Sequence, residues 1–134
     1  MLNSPLNLLA VALVALVAGC NSGGDDRFAP TVEVTGQVTY NGKPISAGEI
    51  QFTSAEDRQN GSETSVFIEQ GKYSAMVTRG TKEVRIYAHK PVGAADETGS
   101  QAQKQYLPAK YNSNSELEVE VGDEAVTFDF DLKK

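Results

Sequence analysis

The chain has 134 residues, 12 Lys and Arg against 18 Asp and Glu, a formal net charge of −6, no Trp and one Cys. That length suits one ordinary domain, the acidic balance argues against a phosphate-binding surface of clustered Lys and Arg, and a lone Cys excludes an internal disulfide. Without Trp and a second Cys the pattern of antibody-type sandwiches is missing, so the fold rests on its apolar core.

The first element is Leu8 to Val17, LLAVALVALV, an unbroken apolar run followed by Ala18, Gly19 and Cys20. As a helix it would rise about 15 Å, half a bilayer core, which is too short for a span and suits the apolar region of a secretory signal. Val17-Ala18-Gly19-Cys20 resembles the lipobox of bacterial lipoproteins. That resemblance implies cleavage before Cys20, a diacylglyceryl group on its thiol and an acyl chain such as palmitate on the new amine. The front of the segment, MLNSPLN, departs from a usual signal in having no Lys or Arg. Asn21, where an Asp would retain a lipoprotein at the inner membrane, implies the outer membrane by the same resemblance. Residues 21 to 30, NSGGDDRFAP, read as a flexible tether with a root-mean-square reach of about 17 Å; Asp25 and Asp26 lack the spaced oxygens and rigid turn of a calcium loop.

From Val34 the period becomes two. Val34, Val38 and Tyr40 share a face opposite Thr35, Gln37 and Thr39, the run stops at Asn41-Gly42-Lys43-Pro44, and Ile50 and Phe52 lie on a second strand. Ser54 to Ser62 is polar, with a turn signal at Asn60-Gly61. Val66 and Ile68, a turn at Gln70-Gly71, and Tyr73, Ala75 and Val77 predict a hairpin; after Arg79-Gly80, Val84, Ile86 and Ala88 predict a fifth strand. Pro91 to Ser115 shows no alternation and is expected to be loop. Leu117, Val119 and Val121, then Val126, Phe128, Phe130 and Leu132, mark two closing strands whose outward Glu and Asp read as a solvated face. Seven short strands predict an all-β, seven-stranded antiparallel Greek-key sandwich, with a small closed barrel as the alternative.

The succession of Val34-Thr35-Gly36-Gln37-Val38-Thr39, Asn41-Gly42-Lys43-Pro44-Ile45, Gly48 to Phe52, Gly71-Lys72-Tyr73, Gly80 and Val84-Arg85-Ile86 resembles the carboxypeptidase-regulatory-like, transthyretin-like domains of small bacterial lipoproteins. Leu107 to Asn112, Ser115 to Leu117 and Phe128 to Leu132 extend the likeness to the closing half. The organisation implied is residues 1–19 as signal peptide, 20–31 as lipidated Cys and tether, and 32–134 as a transthyretin-like sandwich. The function implied is that of an envelope-anchored, non-catalytic binding, accessory or structural module, with no cofactor, no nucleic acid, the membrane as a partner through Cys20, and an envelope protein or glycan as the other partner.

The enzymatic alternative is the transthyretin-like hydrolase of hydroxyisourate, whose site needs histidines, an arginine and a Tyr-Arg-Gly-Ser-type ending. Here His89 is the sole histidine and the chain ends Asp131-Leu132-Lys133-Lys134. A His89-assisted Ser or Thr lacks a recognisable nucleophile elbow, the His and Cys sets that bind metals are missing, and calcium between the Glu116 to Glu120 face and Asp129 or Asp131 competes with plain solvation. The candidate binding residues are Tyr106, Lys110 and Tyr111, because tyrosines and the lysines Lys104 and Lys110 crowd one loop of an acidic domain. The competing role for that loop is to plug one end of the sandwich with Leu107, Pro108 and Tyr111.

Overall fold

The computed structural model describes residues 29–134; the signal segment, Cys20 and nearly all of the tether lie outside the described residues. The domain is all-β, with strands β1 (Thr31–Tyr40), β2 (Lys43–Pro44), β3 (Ala47–Thr53), β4 (Thr64–Glu69), β5 (Lys72–Thr78), β6 (Gly80–Tyr87), β7 (His89–Val92), β8 (Ala102–Gln105), β9 (Leu117–Val121), β10 (Val126–Thr127) and β11 (Phe130–Leu132). One short helix, α1 (Ala55–Asn60), joins β3 to β4. All seven expected strands are present, the last divided into β10 and β11; β2, β7 and β8 are additional, the latter two as a hairpin inside the stretch expected to be loop.

The hydrogen-bonded order is β10-β1-β5-β4-β3-β6-β9, with β2 and β11 also on β1. The expectation of wholly antiparallel pairing is corrected at the chain's end: β10 and β11 run parallel to β1, with Val34 opposite Val126 and Val38 opposite Phe130. The physical reason is the route of the chain. β9 and β10 occupy opposite ends of the strand order yet are joined by only residues 122–125, and so short a link spans at most about 17 Å. The sheet must therefore curl until its two ends approach each other, and the last strands are laid along β1 in β1's own direction.

Local sequence sets the turns. Asn41 and Gly42 have φ of 50° and 80°, and Gln70 and Gly71 have 51° and 78°. Paired positive φ values suit the two-residue turns that match strand twist, and they close the Tyr40–Lys43 and Glu69–Lys72 hairpins. The inward faces supply Val34, Val38, Ile50, Phe52, Ile68, Tyr73, Val77, Val84, Ile86, Val121, Phe130 and Leu132 to one core, together with Ile45, Leu107 and Tyr111. Leu117, Val119 and Phe128, expected to be core, are only partly buried. Each large side chain fully buried contributes roughly 1.5–3 kcal/mol.

The two ends of this core are closed differently. At the end carrying Ala88, the chain from Tyr106 to Asn112, with a 3-10 turn at Ala109–Tyr111, covers the apolar interior with Leu107 and Tyr111, held by Tyr106 N–H to the Ala88 carbonyl. At the other end sits α1. Ser54 caps it by accepting from the Asp57 N–H, and Gly61 ends it at φ 68°. Asp57, only 3% exposed, accepts from Lys82 Nζ at 2.5 Å through Oδ2 and from Thr78 Oγ1 at 2.7 Å through Oδ1. Lys82 itself is 2% exposed, in phase with Val84 and Ile86 on the inward face of β6, and also donates to Thr78 Oγ1 at 2.6 Å. Burial by itself would raise the Asp57 pKa, but hydrogen bonds from Lys82, Thr78 and Ser54 outweigh it and hold the carboxyl below its ordinary range.

A buried ion pair is costly to break from one side and nearly neutral to replace as a whole. Lys82→Met is expected to destabilise the domain by about 3–5 kcal/mol, and Lys82→Met with Asp57→Leu by much less, both read as shifts in urea midpoint. The acid limb follows from the lowered Asp57 pKa. Its contribution is complete above the unfolded-state value of about 3.9 and disappears as pH falls through the lower folded value. The stability difference between the wild type and the double variant should stay flat from pH 7 to about pH 5 and change only as pH drops below about 4.

Candidate functional site

The loop singled out from sequence is divided by the fold. Tyr111 is buried, 9% exposed, and its hydroxyl donates to the Lys133 carbonyl and accepts from the Lys133 N–H, both at 2.9 Å. Lys110 is exposed, with Nζ 5.1 Å from the Tyr111 ring centroid, a distance suited to a cation–π contact. Tyr106 is half-buried and tilts against Tyr40 with ring centroids 5.8 Å apart; burial first, and the neighbouring Tyr40 second, push its pKa up. Asn112 is buried too, donating to the carbonyls of Ile86 at 3.3 Å and Pro108 at 3.2 Å. The structure thus brings Lys110 and Tyr111 together, sets Tyr106 apart with Tyr40, and gives both tyrosines packing partners. Cys20 lies outside the described residues.

A concavity of about 410 Å³ lies elsewhere, on the outer face of β3, β4 and β6 beneath the β7–β8 hairpin. Strand register builds it. Glu49 on β3 stands opposite Phe67 on β4 and opposite Tyr87 on β6, so the two aromatic residues flank it with their backbones about 10 Å apart, two strand spacings. In the next row Ala47 stands opposite Glu69, and alternation from Tyr87 puts His89 on the same side. The small Ala47 side chain between longer neighbours makes the dip, and Gln103 borders it from β8.

Phe67 is 77% exposed. Glu49 Oε1 accepts from the Ser65 hydroxyl and from Gln51 Nε2, the latter at 2.9 Å, while Oε2 meets no donor among the described residues. The Ser65 bond, then the Gln51 bond, hold the Glu49 carboxyl below the usual carboxylate range despite partial burial, with a smaller contribution from His89. Among the described residues the His89 imidazole is in no hydrogen bond with a Ser or Thr hydroxyl, and no three His, Cys, Asp or Glu side chains are grouped to hold a metal ion.

Alternation with Ile68, Ile50 and Ile86 puts Phe67, Glu49 and Tyr87 on outward faces, but their meeting in one row depends on the register of three strands far apart in sequence. The one available signal was Phe67 itself, a large apolar ring on the wrong side of an alternating strand.

No family model matches the chain, and no curated protein matches it. Among solved structures, a DUF3823 family protein from Parabacteroides merdae ATCC 43184 superposes with a TM-score of 0.42 at 16% identity, over 78% of this chain and 46% of its own. A 9R-lipoxygenase from Cyanothece PCC8801 does so with a TM-score of 0.40 at 11% identity, over 78% of this chain and 16% of its own. The chain spans under half the length of the first and about a sixth of the second. Likenesses of this size carry no argument about fold or activity.

The loop's structural contribution is measurable. Tyr111→Phe removes both hydroxyl bonds to Lys133 and keeps the ring, so it should lower stability by about 1 kcal/mol in urea unfolding. It should also increase hydrogen exchange at the Lys133 amide.

Proposed function

We propose that the chain is a lipoprotein of the cell envelope, held on a membrane by lipid on Cys20, the outer membrane rather than the inner. Its β domain serves as a non-catalytic binding or accessory module. The observation that carries this reading is the apolar run Leu8 to Val17 followed by Ala18-Gly19 and the sole Cys: the thiol stands where a lipoprotein signal requires it. The finer fold reading, a transthyretin-like Greek-key sandwich, belongs with it. In its support, the β4–β5 ladder is short, with Glu69–Lys72 as its one register pair and the Thr64 hydroxyl donating to the Met76 carbonyl farther along, and rings from the β3 and β1 regions meet in the core, Phe52 against Tyr73 at 5.9 Å.

The order of parts suits a tethered module. Thr31 opens β1 opposite Thr78, at the α1 end of the domain. The concavity lies at the level of the Glu69–Lys72 hairpin, which reaches β1 at Gln37, about 20 Å along the strand from Thr31. That level is separated along the strands from Thr31, the first residue of β1.

Membrane fractionation tests the anchor. Each buried acyl methylene is worth about 0.8 kcal/mol, so wild-type protein should sediment with membranes and incorporate a labelled fatty acid. Cys20→Ser should do neither. A Cys20→Ser protein that still pellets with membranes and still carries lipid would overturn the reading.

A further inference from the structure

We propose that the concavity between Phe67 and Tyr87 receives the ammonium end of a lysine side chain presented by a partner polypeptide. The proposal rests on the reading of the domain as a binding module and names what the module takes. Its geometry is a floor at Ala47, two aromatic residues on the strands either side of Glu49 with backbones about 10 Å apart, a second carboxylate at Glu69, and the polar side chains of His89 and Gln103 at the border.

The chemistry of the walls selects the charge of the occupant. Two carboxylates line the concavity and no Lys or Arg does. Some other carboxylates of the domain are ion-paired, while Glu63, Glu120 and Asp129, like Glu49, take neutral donors. Asp57 is bonded to Lys82, Glu83 to Arg85, and Asp123 to Arg79. Glu49 takes two neutral donors on Oε1 and leaves Oε2 without a partner among the described residues. Those two neutral donors fix the carboxylate in position without cancelling its charge, so it is preorganised for a cation and repels an anion.

The rings agree with this assignment. Aromatic faces carry a negative quadrupole and attract alkylammonium groups, most of all beside a carboxylate. An alkyl stem gives Phe67, 77% exposed, an apolar surface to cover. A volume of about 410 Å³ holds one long side chain and is too small for a packed helix. Lysine suits these walls: an apolar stem against Phe67 and Ala47, and a compact charge at Glu49 and Glu69. Presentation by a polypeptide rests on the open side of the concavity, on the face of β3 and β4 about 20 Å along the strands from Thr31, where a second chain can lie.

The test is a titration of the full chain, isolated from the expressing cells in non-ionic detergent, with the peptide acetyl-Gly-Gly-Lys-Gly-Gly-amide, followed by amide chemical shifts. Saturable shifts are expected at Ala47, Glu49, Phe67 and Tyr87. Glu49→Gln should weaken binding about 10-fold, the loss of a charged hydrogen bond. Phe67→Ala, at a ring so exposed that folding does not need it, should weaken it about 2- to 5-fold.

The norleucine counterpart of the peptide should give no saturable shift, and 1,4-diaminobutane should bind more weakly than the lysine peptide. Equal binding by norleucine, an unchanged affinity in Glu49→Gln, tighter binding by a neutral tetrasaccharide, or no binding at all would each overturn the assignment. Diamine binding as tight as the peptide's would overturn the polypeptide as source. Cys20→Ser protein should bind the peptide as well as the wild type, so a failure of anchoring and a failure of recognition are read separately.

Discussion

The fold depends on one point at which β1 carries no side chain. Gly36 lies in phase with Val34 and Val38 on the buried side of the strand, and the space a Cβ would fill belongs to the Phe128 carbonyl, whose oxygen would lie only 1.8 Å from it. The Tyr73 hydroxyl donates to that same carbonyl at 2.6 Å, and burial pushes its pKa well above the ordinary phenol range. Beside it, the Gln37 N–H is taken by Asp129 Oδ1 at 2.8 Å, a side-chain oxygen standing in the ladder where a backbone carbonyl would be. This crossing divides the last strand into β10 and β11 and lets both run along β1. Any side chain at position 36 separates the chain's end from its beginning, and the curled sheet opens at that seam.

Polar groups inside the domain follow the same economy of position. Lys82 occupies an inward site on β6 that alternation assigns to an apolar residue, and its charge is tolerable there only because the six-residue helix α1 brings Asp57 to meet it. The helix is too short to persist alone. Its stability comes from that docking, from the Ser54 cap and from Gly61, so the ion pair and the helix are one unit. The opposite end of the core is closed without charge, by Leu107 and Tyr111. Of the two closures, the charged one lies nearest Thr31, where the tether joins, and the apolar one lies on the side of the Phe67–Glu49–Tyr87 row.

Much of this was legible in the residues. Val34 to Phe52, the Gln70-Gly71 hairpin and the alternation through Val84 to Ala88 appear as the strands they predict, because period two with Asn-Gly or Gly at the breaks leaves few other conformations. The helix at Ala55–Asn60 was hidden in a polar stretch with no apolar periodicity, since it packs through one carboxylate and not through an apolar stripe. The β7–β8 hairpin was hidden because both of its strands are mostly exposed and so show no alternation. For Tyr106 to Asn112 the residues allowed either a recognition surface or a plug at one end of the core; Leu107, Tyr111 and Asn112 are buried, because the loop folds back onto Ala88 and Ile86.

The sequence by itself determined the strands, their inward faces, the turn positions and the apolar segment ahead of Cys20, because each is written in neighbouring residues through periodicity and local dihedral preference. The tertiary structure alone decided which strands lie side by side, that the last runs parallel to the first, and that Glu49 stands between Phe67 and Tyr87. Those facts depend on contacts between residues tens of positions apart, and no local pattern encodes the register that brings them into one row.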